Sequence, residues 1–357
     1  MSAEAAARAV AKAIDALRRG WAVEVMAAGQ CLHLLAVESA DEQNLPAFDP
    51  TNAAPILISA ARAHTLHLAN QREAADPEAP VLVQRESWID LGGAMALADP
   101  VRDLATPLKG PYRALPLSQP DAAAGALRLA RLAGILPAFF VAPAPVSTEA
   151  SAEADAILVY GGGPQLHIAT RARLPVSVAE SAEIWAFRTL GDPREHVALV
   201  VGARDDSVPV VRLHSECLTG DVLGSLKCDC GPQLHAALHQ IANARWGVLL
   251  YLRQEGRGIG LINKLRAYAL QDQGFDTVDA NVRLGFAIDA RDFSVAAQML
   301  RLLAVEEVRL LTNNPAKVAG LEAEGVKVKE RVPLAIEPNP HNARYLDTKR
   351  DRTGHQL

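Results

Sequence analysis

The sequence predicts a mixed α/β (α+β) protein with two domains, and three observations support this fold class. The 357 residues are enough for about two domains of ordinary size. In the second half, short apolar runs rich in β-forming residues alternate with helical patterns. Residues 143–155 are rich in Pro, Ala, Ser and Glu and follow neither periodicity, as is typical of a linker. We therefore expect a first domain over 1–145, a linker over 146–165 and a second domain over 166–357.

The first half is expected to begin with a helix and a strand. An amphipathic pattern predicts a helix over 4–18, closed by Gly20, and an apolar run predicts a strand over 21–26. Near the end of this half, a second helix is predicted over 122–133, with Gly134 as its C-terminal cap. The stretch between these elements indicates mixed strand and turn.

The second half is expected to alternate strands with helices. Apolar runs predict strands over 197–201, 208–214, 247–252 and 308–312. Helical periodicity predicts helices between and after them, over 232–243, 261–271, 293–303 and 315–323. This order indicates strands and helices packed as an α/β domain.

Composition excludes several classes of protein. Lys and Arg number 36 against 41 Asp and Glu, a formal charge of -5, and neither half carries the basic stripe that nucleic-acid binding would need. No apolar run approaches the roughly 18 to 20 residues of a membrane span, and the Ala-rich start is interrupted by charges. With 50% hydrophobic and 22% charged residues, we expect a globular cytoplasmic protein without nucleic-acid or membrane partners.

Three of the four cysteines are close together in sequence. Cys31 stands alone, whereas Cys217, Cys228 and Cys230 fall within fourteen positions, a spacing that suits metal or redox chemistry better than a disulfide framework. Three thiolates fit zinc and leave its fourth tetrahedral position for water, as in catalytic zinc sites. The alternative is that these are three buried cysteines without a metal.

Nearby histidines could supply a fourth ligand. The candidates are His214, His235 and His239. The last two are spaced i, i+4 on a predicted helix whose apolar residues face the core, so a solvated flank of that helix is the favoured interpretation.

A glycine-rich turn and several charged residues indicate phosphate binding. Residues 256–260 (GRGIG) follow a predicted strand and open a helix, where backbone amides can face phosphate, although such turns are often purely structural. Arg212, Arg257 and Lys317 are candidates to neutralise phosphate groups, with surface charges as the alternative. Glu216 and Glu255 could hold magnesium or accept hydrogen bonds from the N–H groups of a ligand, or could be ordinary surface carboxylates.

Longer strings around these residues resemble GTP cyclohydrolase II, the first enzyme of riboflavin biosynthesis. The likeness covers the chain from about Leu174 to the C-terminus, and the strings that carry it occur in the family's order. They span residues 212–234, 251–281, 284–293, 310–318 and 338–355.

The resemblance assigns roles to individual positions. It implies that Cys217, Cys228 and Cys230 are zinc ligands, that Asp289 is a proton acceptor, that Arg291 is a nucleophile, and that Tyr268 is an active-site tyrosine. It implies GTP contacts at Arg212, Leu213, His214, Ser215, Glu216, Gln233, Glu255, Gly256, Arg257, Thr277, Thr312 and Lys317. Charge stabilisation is an equally physical role for Arg291, because a guanidinium is effectively always protonated.

The resemblance also implies a reaction. Zinc-dependent hydrolysis of GTP would open the guanine imidazole ring and release formate and pyrophosphate, leaving 2,5-diamino-6-(5-phosphoribosylamino)pyrimidin-4(3H)-one. Mg²⁺ is expected with the triphosphate, and a homodimer is the family expectation. Two alternatives stay open: a paralogue that opens GTP but releases a formylated product, and a zinc-stabilised nucleotide sensor without turnover.

Part of the first half resembles the C-terminal part of 3,4-dihydroxy-2-butanone 4-phosphate synthase, over residues 108–143. That family has an acidic loop after its first strand, where this chain has Ala27 to Cys31, and a Gly-His-Thr-Glu motif where this chain has Asp121 to Ala124. Without those carboxylates and that histidine there is no Mg²⁺ site and one acid/base group is missing. We therefore expect a degenerate, inactive synthase-like domain.

Overall fold

Two β-sheets organise the part of the chain that the structure describes, and each has seven strands there. The structure, a computed structural model, describes residues 2–107, 109–160, 166–189, 194–287, 289, 291–334, 336–354 and 356. It divides into two compact units. The first comprises the described parts of 1–162, 262–275 and 279–288, and the second those of 163–261, 276–278 and 289–357. The predicted mixed α/β fold class is confirmed.

The sheet of the first unit has the strand order β5-β4-β3-β6-β2-β1-β7. Strands β1 and β7 are parallel, and the other neighbouring pairs are antiparallel. The strands are β1 Val23–Ala27, β2 Gln30–Ala36, β3 Ile56–Ile58, β4 Val81–Val83, β5 Ala114–Leu115, β6 Ala138–Val141 and β7 Ala150–Glu153. The predicted strand over 21–26 is confirmed as β1.

The α-helices that precede residue 160 are α1 Ala3–Arg18, α2 Asn44–Phe48, α3 Ala60–Thr65, α4 Leu91–Ala98, α5 Pro120–Ala133 and α6 Ala154–Val159. The side chain of Ser2 caps α1 by accepting a hydrogen bond from the Ala5 amide. Helix α5 ends where Gly134 adopts the left-handed conformation, with φ 75°. Both predicted helices are therefore confirmed, and so is the glycine cap of the second.

The predicted linker over 146–165 is wrong for residues 150–159. Strand β7 pairs in parallel with β1, and α6 buries Ala154 and Ile157 in the core of the first unit. The close approach of α6 to α5 depends on Gly125, since a Cβ there would lie 2.9 Å from Cβ of Ala154. Small residues with little periodicity serve here for tight packing, which composition alone does not distinguish from a linker. Residues 161–165 of the predicted linker lie outside the described residues.

The sheet of the second unit has the strand order β14-β13-β11-β12-β10-β9-β8. Its strands are β8 Leu166–Arg173, β9 Ala182–Thr189, β10 His196–Gly202, β11 Val210–Ser215, β12 Trp246–Leu252, β13 Glu307–Leu311 and β14 Lys327–Val332. Strands β14, β13, β11 and β12 run parallel, whereas β10, β9 and β8 continue the sheet in antiparallel pairs. The four predicted strands are confirmed as β10, β11, β12 and β13.

The remaining α-helices are α7 Cys230–Ala242, α8 Gly260–Asp272, α9 Thr277–Arg283, α10 Ser294–Leu302, α11 Pro315–Ala323 and α12 Ala343–Thr353. The four predicted helices are confirmed as α7, α8, α10 and α11. Helix α10 buries Val295 and Met299, and these side chains share a core with the inner residues of β11 and β12. In the described residues, no helix is long and apolar enough to cross a membrane.

Two segments of the predicted second domain belong to the first compact unit. Residues 262–275 and 279–287 group with it. On α8, Asn263 Nδ2 donates to the Gly134 carbonyl at 2.7 Å and Arg266 Nη1 to Glu38 Oε2 at 3.0 Å. The compact units thus differ from the predicted limits 1–145 and 166–357. The reason is that these polar pairings join positions over 100 residues apart, which hydrophobic periodicity does not encode.

Candidate active site

The parallel strands of the second unit bring several predicted site residues to one edge of the sheet. Strands β11, β12 and β13 end at Ser215, Leu252 and Leu311, and their carboxyl ends share that edge because the strands are parallel. Ligands of α/β sheets bind outside the carboxyl ends of the strands. The loops that follow these three strands therefore form the candidate site.

The first loop carries the three cysteines that the sequence singled out. Cys217 follows β11, Cys228 ends the loop, and Cys230 is the first residue of α7. Their sulfur atoms all lie within 4.8 Å of one another, and the sulfurs of Cys217 and Cys228 are 3.7 Å apart. We call these three residues the thiol cluster. Within the described part of the chain, no histidine or carboxylate joins it at that distance.

Two glycines make room for the thiol cluster. A Cβ on Gly220 would lie 2.8 Å from Cys228 Sγ and 3.1 Å from Cys217 Sγ, and a Cβ on Gly231 would lie 2.3 Å from the Gly220 carbonyl oxygen. Zn–S bonds of about 2.3 Å at tetrahedral angles place two sulfurs about 3.8 Å apart. The sulfur separation of 3.7 Å and the space kept by Gly220 both fit a zinc ion.

The thiol cluster is electrostatically suited to a cation. The hydrogen bond with Cys217 raises the pKa of the Cys228 thiol, and the neighbouring sulfurs together with burial raise the pKa of Cys230 well above its usual range. Three thiolates this close repel one another, so a bound cation is what would stabilise the deprotonated forms.

The buried carboxylate of Asp221 lies in the same loop and holds it by hydrogen bonds to neighbouring strands. Asp221 accepts hydrogen bonds from the Cys217 amide at 2.9 Å and from the Tyr251 hydroxyl at 2.9 Å, and it lies 3.0 Å from His214 Nε2. Burial and the Asp221 carboxylate raise the pKa of Tyr251, whereas burial lowers the pKa of His214. Because His214 Nε2 is directed at Asp221, the alternative that this nitrogen is a fourth metal ligand finds no support.

Sequence reasoning missed Asp221 and Tyr251. The sequence signal for both was weak. Asp221 lies four residues after Cys217, within the family-like stretch 212–234, but has no motif of its own, and Tyr251 looks like one more apolar residue of a strand. The Tyr251 ring stacks on His214 with 5.5 Å between ring centroids. The pair therefore holds β11 and β12 in register at the point where the thiol cluster begins.

Two of the predicted triphosphate-binding cations are buried. Arg212 donates to the Leu311 carbonyl at 3.0 Å and to Gln233 Oε1 at 2.6 Å, which brings two predicted GTP-contacting residues together. Burial lowers the pKa of Arg212 to about 10. Lys317 Nζ donates to the Leu213 carbonyl at 2.7 Å. Backbone carbonyls thus fix the positions of the Arg212 and Lys317 side chains, and neither side chain extends into solvent.

Three buried polar atoms on β11 lack a hydrogen-bond partner among the described residues. They are Arg212 Nε, His214 Nδ1 and Ser215 Oγ. Buried polar groups in native proteins are almost always satisfied by protein, water or a ligand. All three residues belong to the predicted GTP-contacting set, so the unsatisfied atoms cluster where a polar ligand is expected.

The glycine-rich turn after β12 is confirmed as a strand-to-helix connection. Glu255 Oε2 accepts a hydrogen bond from the Leu218 amide at 2.7 Å, which ties this turn to the loop of the thiol cluster. Gly256 and Arg257 both have positive φ, 62° and 60°. A non-glycine residue in that conformation is uncommon and marks local strain of the kind found at functional sites.

Asp289 and Arg291 form a bidentate ion pair. Arg291 Nε donates to Asp289 Oδ1 at 2.7 Å, and Nη2 donates to Oδ2. Burial raises the pKa of Asp289, but the Arg291 guanidinium and amide together with the Arg257 charge outweigh burial and lower the pKa of that carboxyl. Asp289 and Arg291 are therefore present as a carboxylate anion beside a guanidinium cation.

The remaining predicted residues are more scattered. Thr312 Oγ1 accepts from the Asn314 amide at 3.0 Å just after β13, and Glu216 pairs with Arg253 at 2.8 Å. Thr277 begins α9 in the second unit. Tyr268 lies on α8 in the first compact unit, with Lys264 over its ring at 5.7 Å, so its active-site role stays a prediction.

Known proteins resemble this chain over nearly its whole length. The model of the GTP cyclohydrolase II family matches residues 167–333. A protein of Azospirillum brasilense named GTP cyclohydrolase-2 is 44% identical over 371 residues, covering 99% of this chain and 95% of that protein. The chain belongs to the GTP cyclohydrolase II family. The resemblance inferred from the sequence strings is thereby confirmed, and the chain is a family enzyme by similarity.

Other relatives of this GTP cyclohydrolase II family member align with about half of the chain. GTP cyclohydrolase-2 of Escherichia coli O9:H4 is 56% identical over 194 residues, 54% of this chain and 98% of its own length. The riboflavin biosynthesis protein RibBA of Bacillus subtilis is 58% identical over 177 residues, but these are only 44% of its length. A solved structure of RibBX, a two-domain 3,4-dihydroxy-2-butanone 4-phosphate synthase from A. baumannii, is 19% identical and covers 92% of this chain and 99% of its own, with a TM-score of 0.28.

Proposed function

We propose that this chain hydrolyses GTP with zinc held by the thiol cluster, opening the guanine imidazole ring and releasing formate and pyrophosphate. The product would be 2,5-diamino-6-(5-phosphoribosylamino)pyrimidin-4(3H)-one, in the first step of riboflavin biosynthesis, carried out by a cytoplasmic homodimer. The observation that carries the proposal is the thiol cluster itself, three sulfurs within 4.8 Å at the carboxyl edge of the sheet in a member of this family.

The thiol cluster would supply three of the four ligands of a tetrahedral zinc. When bound there, zinc would lower the pKa of water, so that hydroxide is available near neutral pH to attack an electron-poor purine carbon. Gly220 keeps the space between the sulfurs open. Asp221 fixes the Cys217 amide, which orients the first ligand of the set.

The guanine and ribose would be positioned by polar groups on β11 and its neighbours. Ser215 Oγ is a buried hydroxyl with no hydrogen-bond partner among the described residues, and a purine nucleotide offers oxygen and nitrogen acceptors to it. Gln233 is held against Arg212. Glu255 lies at the adjacent turn, from which a carboxylate can accept the N1–H and exocyclic amine of guanine.

The triphosphate would be bound by cations at the same edge. Arg257 on the strained turn, and Lys317 and Arg212 within the fold, are the cations that the family pattern implies, and Mg²⁺ would add positive charge at the triphosphate. We assign Arg291 an electrostatic role, because a guanidinium paired on two nitrogens keeps its charge and has no lone pair for attack. Asp289 would hold Arg291 in place and accept a proton from the attacking water.

The test follows two products at once. The purified chain is incubated with GTP and Mg²⁺, with and without a zinc chelator, while formate and pyrophosphate are measured. We expect both to appear together and formate to be lost on chelation. Cys228→Ser should abolish formate release with the fold retained, whereas Leu226→Ser, an exposed position two residues away, should leave it intact.

The competing functions give different results in the same experiment. A paralogue would release a formylated product, which mass spectrometry separates from the expected pyrimidine. A nucleotide sensor would bind GTP without producing either formate or pyrophosphate. A chain that releases both products with Cys228→Ser would contradict the assignment of the thiol cluster.

We also propose that the first unit has no synthase activity. Strands β1 and β2 are joined by Ala28 and Gly29 alone, both with positive φ (50° and 76°), as in a tight hairpin turn. This turn stands where the resemblance places an acidic loop, and it leaves no room for one. Incubation with ribulose 5-phosphate and Mg²⁺ should give no product, and turnover would overturn the proposal.

A further inference from the structure

The hairpin of β1 and β2 brings together three side chains that the sequence keeps apart. In its antiparallel register Glu24 stands directly opposite His33, and Met26 stands opposite Cys31. Side chains two positions apart on a strand share a face. Glu24, Cys31 and His33 therefore project from one face of the hairpin, and we call them the hairpin cluster.

The ligand atoms of the hairpin cluster have the separations of a metal site. Cys31 Sγ lies 3.6 Å and Glu24 Oε1 lies 3.8 Å from His33 Nε2, and all three atoms are within 4.8 Å of one another. Bonds of about 2.0 to 2.3 Å at tetrahedral angles put ligand atoms about 3.3 to 3.8 Å apart. One metal ion could thus be reached from all three residues with small side-chain adjustments.

Two side chains of the hairpin cluster are largely buried. The side chains of His33 and Glu24 are only 13% and 23% exposed, and His33 Nδ1 is buried without a hydrogen-bond partner among the described residues. Of the two ring nitrogens, Nε2 is therefore the one that faces the other members of the cluster. Glu24 also lines a pocket of about 510 Å³, together with Lys12 and Glu149.

We propose that the hairpin cluster is a second metal site, for a divalent transition metal of the zinc class. Sulfur and imidazole nitrogen exclude Mg²⁺ and Ca²⁺, which require oxygen ligands, whereas Zn²⁺ and Co²⁺ accept one sulfur, one nitrogen and one carboxylate. The site lies in the first unit and shares no residue with the thiol cluster. It gives that unit a ligand of its own, separate from GTP hydrolysis.

The first experiment counts metal ions on the full-length chain. The metal-free protein is titrated with Zn²⁺ and dialysed, and bound zinc is measured per chain. We expect two equivalents for the wild type and one for Cys31→Ser and for His33→Gln. His64→Gln, at an exposed histidine of the same unit, is the matched control and should keep two.

The second experiment identifies the ligands and does not depend on any variant of the hairpin. X-ray absorption of the fully loaded wild type should give an average of two sulfurs per zinc, because one site supplies three and the other supplies one. In a chain carrying Cys217→Ser, Cys228→Ser and Cys230→Ser, which removes every thiol of the thiol cluster, Co²⁺ should still bind with a single-thiolate charge-transfer band. A wild type that holds one zinc bound by three sulfurs, or two equivalents that survive both hairpin variants, would overturn the proposal.

Neither measurement requires turnover, so a failure of this site and a failure of the proposed function are distinguishable.

Discussion

Gly220→Ala should disable the thiol cluster without disturbing the rest of the loop. The added Cβ would lie 2.8 Å from Cys228 Sγ, 2.9 Å from Cys230 Cβ and 3.1 Å from Cys217 Sγ. Unstrained contacts between such atoms require about 3.5 to 4.0 Å. The neighbouring atoms must therefore move by roughly 0.5 to 1 Å, whereas metal sites tolerate deviations of only about 0.2 Å in their bond lengths.

The displacement sets the size of the effect. Overpacking of this kind costs about 1 to 3 kcal/mol. If that strain falls on the metal-bound arrangement, zinc affinity drops by about 5- to 150-fold, since 1.4 kcal/mol corresponds to a factor of ten. Competition with a chromophoric chelator measures the affinity, and formate release at limiting zinc measures its consequence.

Gly224→Ala is the matched control for this substitution. Gly224 lies in the same loop, and apart from its two chain neighbours none of the described residues comes within 4 Å of its Cβ position. Its φ of +64° means that alanine costs about 1 kcal/mol of stability there, but no sulfur is displaced. Zinc affinity should stay near the wild-type value in Gly224→Ala. An affinity of Gly220→Ala within twofold of this control would refute the reasoning.

Three further predictions follow from the described contacts. Asp221→Asn removes the charge that holds the Cys217 amide and should lower the free energy of unfolding by about 1 to 3 kcal/mol, measured by urea denaturation, and lower zinc affinity as well. Arg291→Lys keeps the charge but loses the bidentate pair with Asp289, so kcat for pyrophosphate release should fall by about 100-fold. Trapping experiments on the wild type should yield no phosphoramidate of Arg291. Such an adduct would contradict the electrostatic role of Arg291. Burial raises the pKa of Asp103, but the ion pairs with Arg62 and Lys109 together lower it further, so the folded pKa is depressed. The stabilising contribution of the Asp103 carboxylate is complete above the unfolded value near 3.8 and is lost as pH falls through the folded pKa. Asp103→Asn should therefore flatten the acid limb of a stability–pH profile, and an unchanged acid limb would show that this pair is not a source of it.

Strong local patterns could be predicted from the sequence. The apolar strands β11 and β12 are buried along nearly their whole length, so continuous hydrophobic runs identified them. The left-handed Gly134 ends α5 because only glycine adopts that conformation cheaply. The thiol cluster was found because its three residues lie within fourteen positions, so that one loop and one helix end bring them together.

Features that depend on register or distant pairing could not be predicted. Strand β8 was missed because most of its residues are exposed, so it lacks an apolar face. The hairpin cluster was missed because Cys31 reads as a lone cysteine until the pairing of Glu24 with His33 is known. Asp221 carries no signal of its own, since its role comes from donors on β11 and β12.

The grouping of α8 with the first unit constrains how this polypeptide can be made and cut. The described residues of the first unit extend to residue 287, so its assembly is incomplete until most of the chain has left the ribosome. A fragment ending near residue 160 would expose the Gly134 carbonyl and Glu38, which Asn263 and Arg266 otherwise satisfy. A gene fusion or fission that separates the two halves must therefore keep residues 262–275 and 279–287 with the first unit. Otherwise another surface must cover the Gly134 carbonyl and Glu38.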